Sequence, residues 1–217
     1  MKKFLIAAAA TSALLAAGAA SAEGTFSYNI AATTDYVFRG ISQTNEDPAI
    51  QGGIDYTNGI FYAGTWASNV DFGSKADYEL DLYAGVKPTV GKFSFDLGVL
   101  YYAYPQEDDL NATELKAAVT YPLGAGTIGA AYYTNTDDMF DTSYGEVNVA
   151  YPITEKAVVS LAYGTQKFAA GGEYDTWNLG GTFGMTDKIS LDLRYYNSSE
   201  DVKGMDERVV ATIKAAF

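Results

Sequence analysis

The stretch TFSYNIAATTDYVFRGIS, residues 25–42, constrains the fold more than any other part of the chain. Its even positions carry Phe26, Tyr28, Ile30, Ala32, Thr34, Tyr36 and Phe38, apolar or aromatic except for Thr34. Its odd positions are mostly polar and end in Asp35, Val37 and Arg39. Successive side chains of a strand point to opposite faces, so this is a period of two. It persists for about fourteen residues, whereas a strand in a soluble sheet averages about 5–6. Aromatic rings sit at both ends of the apolar face, with small residues between them. A strand crossing a bilayer at a tilt takes roughly 9–11 residues and carries rings at both interfaces. A long edge strand of a soluble sandwich shows the same alternation, so the rest of the chain has to decide.

Residues 1–22 read as a signal peptide: Lys2 and Lys3, an apolar run over 4–17, and small residues Ala20, Ser21 and Ala22 at a cleavage site. Removal after Ala22 is expected, with 23–217 as one exported domain. Beyond residue 22 no apolar run approaches the ~18 residues of a membrane helix. Without Lys2 and Lys3 the chain keeps 12 of its 14 basic residues against 27 acidic ones. That balance argues against nucleic acid as a partner, because phosphate binding needs a basic face. The chain has no cysteine and no histidine. It therefore has no disulfide framework, and it lacks the commonest general base, the commonest zinc ligand and every Ser-His or Cys-His nucleophile. No catalytic residue, metal or cofactor is expected, and the chain does not read as an enzyme.

The alternation recurs along the chain. AIQGGIDYT places Ile50, Ile54 and Tyr56 on one face, and Asn58-Gly59 then signals a tight hairpin. IFYAGTWASNV is read with Ile60, Tyr62, Trp66 and Val70 on the apolar face, and YELDLYAGV with Tyr78, Leu80, Leu82 and Val86. Twelve such segments follow one another. The connections after even strands are short and carry Asn-Gly, Pro or Gly; those after odd strands are longer and acidic. Short turns at one end and long loops at the other mark an outer-membrane barrel with an even strand count. The expected fold is all-β: a 12-stranded antiparallel up-and-down transmembrane β-barrel, with both termini periplasmic and the long loops outside.

The charges sharpen this reading. Sixteen acidic residues fall in the six long loops, with only Lys75, Lys167 and Lys203 beside them. Every strand-borne charge falls opposite the apolar register: Asp35, Asp55, Glu79, Asp81, Asp96, Glu114, Glu146 and Asp192, with Arg39, Lys116, Arg194, Arg208 and Lys214. A basic side chain facing lipid at mid-depth costs ~2–4 kcal/mol, so a membrane demands one strict face. These thirteen residues, with Tyr102, are the expected pore lining. Asp35 and Arg39 share one face of the first strand, where they serve either as a charged filter or as an ion-pair fastening for the first loop. Asp55 is expected to help neutralise Arg39. The paired acids Asp108-Asp109 and Asp137-Asp138 read mainly as solvated loop residues rather than calcium ligands.

Phe217 closes the register Val209, Ala211, Ile213, Ala215 and reads as a signal to the barrel assembly machinery. The segments ATTDYVFRGISQT (32–44), DPAIQGGIDY (47–56) and FYAGTWASNVDF (61–72) resemble the signature region of the TorF-type outer-membrane porins of proteobacteria. That resemblance implies an outer-membrane porin and supplies no substrate. The expected function is passive passage of small, polar or cationic solutes through a narrow lumen, the partners being those solutes, outer-membrane lipid and lipopolysaccharide. The alternative is a closed barrel with a structural or surface-interaction role.

Overall fold

A computed structural model describes residues 24–217, so the expected signal peptide at 1–22 lies outside the described residues. Twelve strands make the wall: β1 (Thr25–Thr33), β2 (Ala49–Asn58), β3 (Phe61–Asn69), β4 (Tyr78–Val86), β5 (Phe93–Ala103) and β6 (Ala112–Leu123). They continue as β7 (Gly126–Asn135), β8 (Ser143–Pro152), β9 (Ala157–Lys167), β10 (Glu173–Gly184), β11 (Ile189–Ser198) and β12 (Arg208–Ala216). Each pairs antiparallel with the next, and β12 returns to β1, with Ala31 opposite Lys214 and Thr33 opposite Thr212. The ring is therefore closed, as the twelve-strand reading expects, and no unpaired edge is left to face hydrocarbon. Among the described residues the one helical segment is a 3-10 turn, Asp108–Leu110.

The outer face is apolar and open to its surroundings: Ile30, Leu82, Leu193 and Val209 are 50–69 % exposed. An exposed belt of that extent fits lipid rather than water. Outward rings form two girdles. Phe26, Phe61, Phe93, Tyr151 and Phe183 lie near the short turns, while Tyr78, Tyr101, Tyr132 and Tyr163 lie toward the long loops. Phe26 and Tyr56 stack across the β1–β2 pair at 4.9 Å, and Trp177 and Tyr195 across β10–β11 at 5.2 Å. At the tip of the β2–β3 hairpin, Gly59 takes a positive φ of +59°, which the Asn-Gly turn requires.

The structure corrects two details of the sequence reading. First, β1 ends at Thr33 and does not continue to Ser42. Residues 34–48 instead turn into the barrel and form a small hairpin, Val37–Phe38 against Ile41–Ser42. Tyr36 and Phe38 keep the period of two, but their rings pack on Trp66 and Tyr102, on the inner wall, and not on lipid. Second, β3 presents Tyr62 and Trp66 to the interior, and Val70 directly after it is buried. Opposite residues of paired strands share a face, and Trp66 lies opposite Gly53 and Gly64 opposite the inward Asp55. The small side of the neighbouring wall, Gly85 and Gly98, makes room for the Tyr62 ring.

Candidate pore and its inner hairpin

The inner hairpin is built on Asp35. Its carboxylate accepts hydrogen bonds from Ser42 Oγ (2.7 Å) and Thr44 Oγ1 (3.1 Å), and it pairs with Arg208 at 2.9 Å. These bonds bend the chain inward directly after β1. At the tip, Arg39 and Gly40 both adopt positive φ, +48° and +82°. Gly40 lies against Thr176, where a Cβ would overlap the threonine side chain, so only glycine fits. Further bonds tie the hairpin to its neighbours: Ser42 N–H donates to Gly204 O (2.8 Å), and Asp71 N–H donates to Gln43 O (2.8 Å).

Arg39 is the anchor. Its two Nη atoms donate to the two oxygens of Glu114 at 2.8 and 2.7 Å, and Nη1 also reaches Gln166 Oε1 at 3.1 Å. The guanidinium carbon lies 4.7 Å from the Phe38 ring centre, 4.9 Å from Tyr133 and 4.6 Å from Tyr144. Tyr102 steadies the partner by donating to Glu114 Oε2 at 3.0 Å, and Tyr174 donates to the Arg39 carbonyl at 2.9 Å. A bidentate pair fixes orientation as well as charge. A desolvated cation over aromatic faces adds about 2 kcal/mol for a well-placed ring.

The other expected lining residues occupy inward register positions, mostly in pairs. Asp96 binds Lys116 (2.7 Å) and accepts from Tyr62 OH (2.7 Å). Asp192 binds Arg194 (3.0 Å), which also reaches Asn178 and Ser160 and is 2 % exposed. Asp55 accepts from Tyr83 OH (2.6 Å), and Glu146 from Tyr144 OH and Asn148. Asp35 and Arg39 are not each other's partners, and Asp55 bonds to Tyr83 rather than to Arg39; Arg208 and Glu114 fill those roles. Lys87, placed in a turn by its sequence, reaches inward over the Tyr62 ring at 4.4 Å. Counting it, eight inward carboxylates face six inward bases, an excess of two negative charges.

Exposure changes along the barrel axis. Around the hairpin the walls are buried: Glu79, Tyr102, Glu114, Tyr133, Tyr144, Gln166, Tyr174 and Thr176. Toward the short turns, Asn29, Asp55, Lys87, Asn148 and Lys214 are partly exposed. The lumen is thus polar throughout, narrowed by the hairpin near the long loops and wetter at the other end. The long loops also bond to one another: Lys75 N–H donates to Glu107 Oε2 at 3.0 Å, and hydrogen bonds from Ser74 and Lys75 hold that carboxyl below its ordinary range. Among the described residues no three potential metal-binding side chains of the His, Cys, Asp or Glu type converge.

The sequence reading missed the hairpin and its receptors Gln166 and Trp66. The signals present were the charges Asp35 and Arg39 and Gly40 directly after Arg39, unusual together inside a membrane strand, followed by Asp47-Pro48.

A family model described as "Bacterial protein of unknown function (Gcw_chp)" matches residues 16–217. Among curated proteins none matches the chain. Solved structures share the fold at low identity. The KdgM porin superposes with a TM-score of 0.67 at 10 % identity, covering 88 % of this chain and 99 % of its own. The NanC porin gives 0.61 at 9 %, covering 88 % and 98 %. The COG4313 outer membrane channel from Pseudomonas putida F1 gives 0.51 at 13 %, covering 89 % and 93 %. One KdgM structure is a complex with disordered oligogalacturonate.

Proposed function

The chain belongs to the Gcw_chp family of bacterial proteins, and from that premise we propose that it is an outer-membrane porin passing small polar or cationic solutes. The observation that carries this reading is the lumen's composition. Charged and amide side chains line a closed barrel from end to end, and those near the short turns are partly exposed. A barrel serving only as a wall is more simply filled with apolar side chains, because each buried charge needs a partner. The shared fold with KdgM and NanC, and the resemblance of residues 32–72 to TorF-type porins, support the same reading. So does the apolar belt, which fits an outer membrane reached by way of a cleaved signal peptide, with lipopolysaccharide and the barrel assembly machinery as partners.

In this reading the inner hairpin is the constriction, and the pore lining comprises Asp35, Arg39, Asp55, Glu79, Asp81, Asp96, Tyr102, Glu114, Lys116, Glu146, Asp192, Arg194, Arg208 and Lys214. The two excess negative charges, inside a low-dielectric wall, raise the local concentration of cations. Reversal potential in a salt gradient across a planar bilayer tests this. We expect a cation preference that weakens toward 1 M salt, where the Debye length falls to ~3 Å. Anion preference overturns the charge assignment. A refolded barrel with no conductance overturns the porin reading in favour of a closed barrel with a structural role, which the tight fastening of Arg39 also suits.

A further inference from the structure

The two excess charges can be located. Four inward carboxylates are held in ion pairs: Asp35 with Arg208, Glu114 with Arg39, Asp96 with Lys116, and Asp192 with Arg194. Asp55 and Glu146 are matched in number by Lys87 and Lys214, and all four are partly exposed. What remains is Glu79 and Asp81, neighbours on the inner face of β4. Glu79 is 2 % exposed. Its Oε1 accepts a long hydrogen bond from Tyr36 OH at 3.4 Å, and Tyr104 and Asp81 also adjoin its carboxyl, while Glu79 Oε2 and Asp81 Oδ1 are buried with no directional hydrogen bond. The surroundings are aromatic: Asp81 lies opposite Tyr102 and Trp66, and Tyr36 packs on Trp66. Two adjoining carboxyl groups with no basic partner in such a setting call for a counter-charge or a shared proton.

We propose that Glu79 and Asp81 form a binding site for one divalent cation of the Ca2+ type, between the β4 wall and the inner hairpin. Two ionised carboxylates side by side carry two negative charges, which one divalent ion matches and one monovalent ion does not. The donors are all oxygen, the preference of a hard cation. Same-face neighbours on a strand are about 6.7 Å apart at the backbone. Their carboxylates can therefore converge on a shared ion with Ca–O distances of about 2.3–2.6 Å. The phenol oxygen of Tyr36 lies on Glu79 and is available as a further donor, and water from the lumen completes the shell. Mg2+ fits less well, because it demands near-ideal octahedral geometry. The ion would join the hairpin to the wall at Tyr36, a third fastening beside those at Asp35 and Arg39.

Terbium luminescence tests this on the whole barrel refolded in detergent, so the result does not depend on whether the barrel conducts. Tyr36 and Tyr102 beside the site should sensitise bound Tb3+ on excitation of tyrosine. We expect emission that saturates at one ion per chain and is displaced by Ca2+ at about 10⁻⁴–10⁻³ M, the range of weakly charged extracellular sites. Either Glu79→Gln or Asp81→Asn should remove that emission. The loop variants Asp108→Asn/Asp109→Asn and Asp137→Asn/Asp138→Asn should keep it. Heat-modifiable migration on gels establishes that each variant is folded; Asp81, the less buried of the two, provides the test if Glu79→Gln does not fold. Absence of saturable emission in the unmodified barrel overturns the proposal, since the pair is then neutralised by a shared proton. Emission that survives Asp81→Asn, or that disappears with the loop variants, overturns it equally.

Discussion

Arg39 and Glu114 lie 75 residues apart in sequence and meet through two parallel hydrogen bonds of 2.8 and 2.7 Å inside the barrel. One comes from the tip of a hairpin with unusual backbone angles, the other from the start of a wall strand, β6. Both side chains are only 9 % exposed. A buried pair adds little net stability over an apolar filling, but breaking it by removing one partner is expensive. The pair thus fixes where the hairpin sits, and losing one member leaves the other buried without its partner.

Arg39→Ala should open the constriction. The hairpin tip loses its anchor, and the lumen gains a further uncompensated carboxylate. Single-channel conductance should rise and the cation preference should deepen. Stability in urea should fall by about 3–5 kcal/mol, because Glu114 is left buried without its partner. Adding Glu114→Gln should recover much of that stability without restoring the narrow pore. Unchanged conductance in Arg39→Ala would mean that the constriction lies elsewhere.

The base of the hairpin depends on Asp35 and Arg208. A double-mutant cycle with Asp35→Asn and Arg208→Ala should give a coupling of about 0.5–3 kcal/mol, as for directly contacting charged groups. Each single variant should also make the channel current noisier, since the hairpin is then held at its tip alone. Additive effects would rule out a direct role for the 2.9 Å contact.

Orientation in the membrane is open to proteolysis. With the long loops outside, protease added to intact cells should cut within 105–111, 135–143 or 197–207 and spare the turns at 122–126 and 152–156. Cleavage at either turn in sealed cells would invert the assignment.

Phe217 exchanges backbone hydrogen bonds with Tyr28 (2.9 and 3.0 Å), and the residue is 64 % exposed. Removing it should lower delivery to the membrane far more than it weakens the refolded barrel, because one apolar ring contributes only ~1–3 kcal/mol. Normal membrane levels of the truncated chain in living cells would exclude a signalling role for this residue.

The wall was legible because a membrane enforces one rule on every strand. Phe26, Tyr28 and Ile30 against Ser27, Asn29 and Ala31 leave no ambiguity of face. The same rule misled at Tyr36, Phe38, Tyr62 and Trp66, since apolar rings suit lipid and also suit the space beside inner glycines such as Gly53, Gly64 and Gly98. Alternation records that two faces differ, not which one is wet. The pairing of the charges was not legible at all. Asp35 and Arg39 are four residues apart and look like partners, yet each binds a strand far along the chain. Only closure of the ring brings those strands together.

The order of events in folding follows from the hairpin's partners. Residues 34–48 emerge early, but their receptors come later: Glu114 is 75 residues on, Gln166 127, Tyr174 135 and Arg208 173. Long-range contacts of this kind form slowly, because large loops must close first. The hairpin therefore has no complete seat until the last strand has joined the first. A newly closed barrel passes through a moment when its ring is whole and its bore is at its widest. Docking of Arg39 is the step that ends it, so the aperture is set last, by a segment that was made almost first.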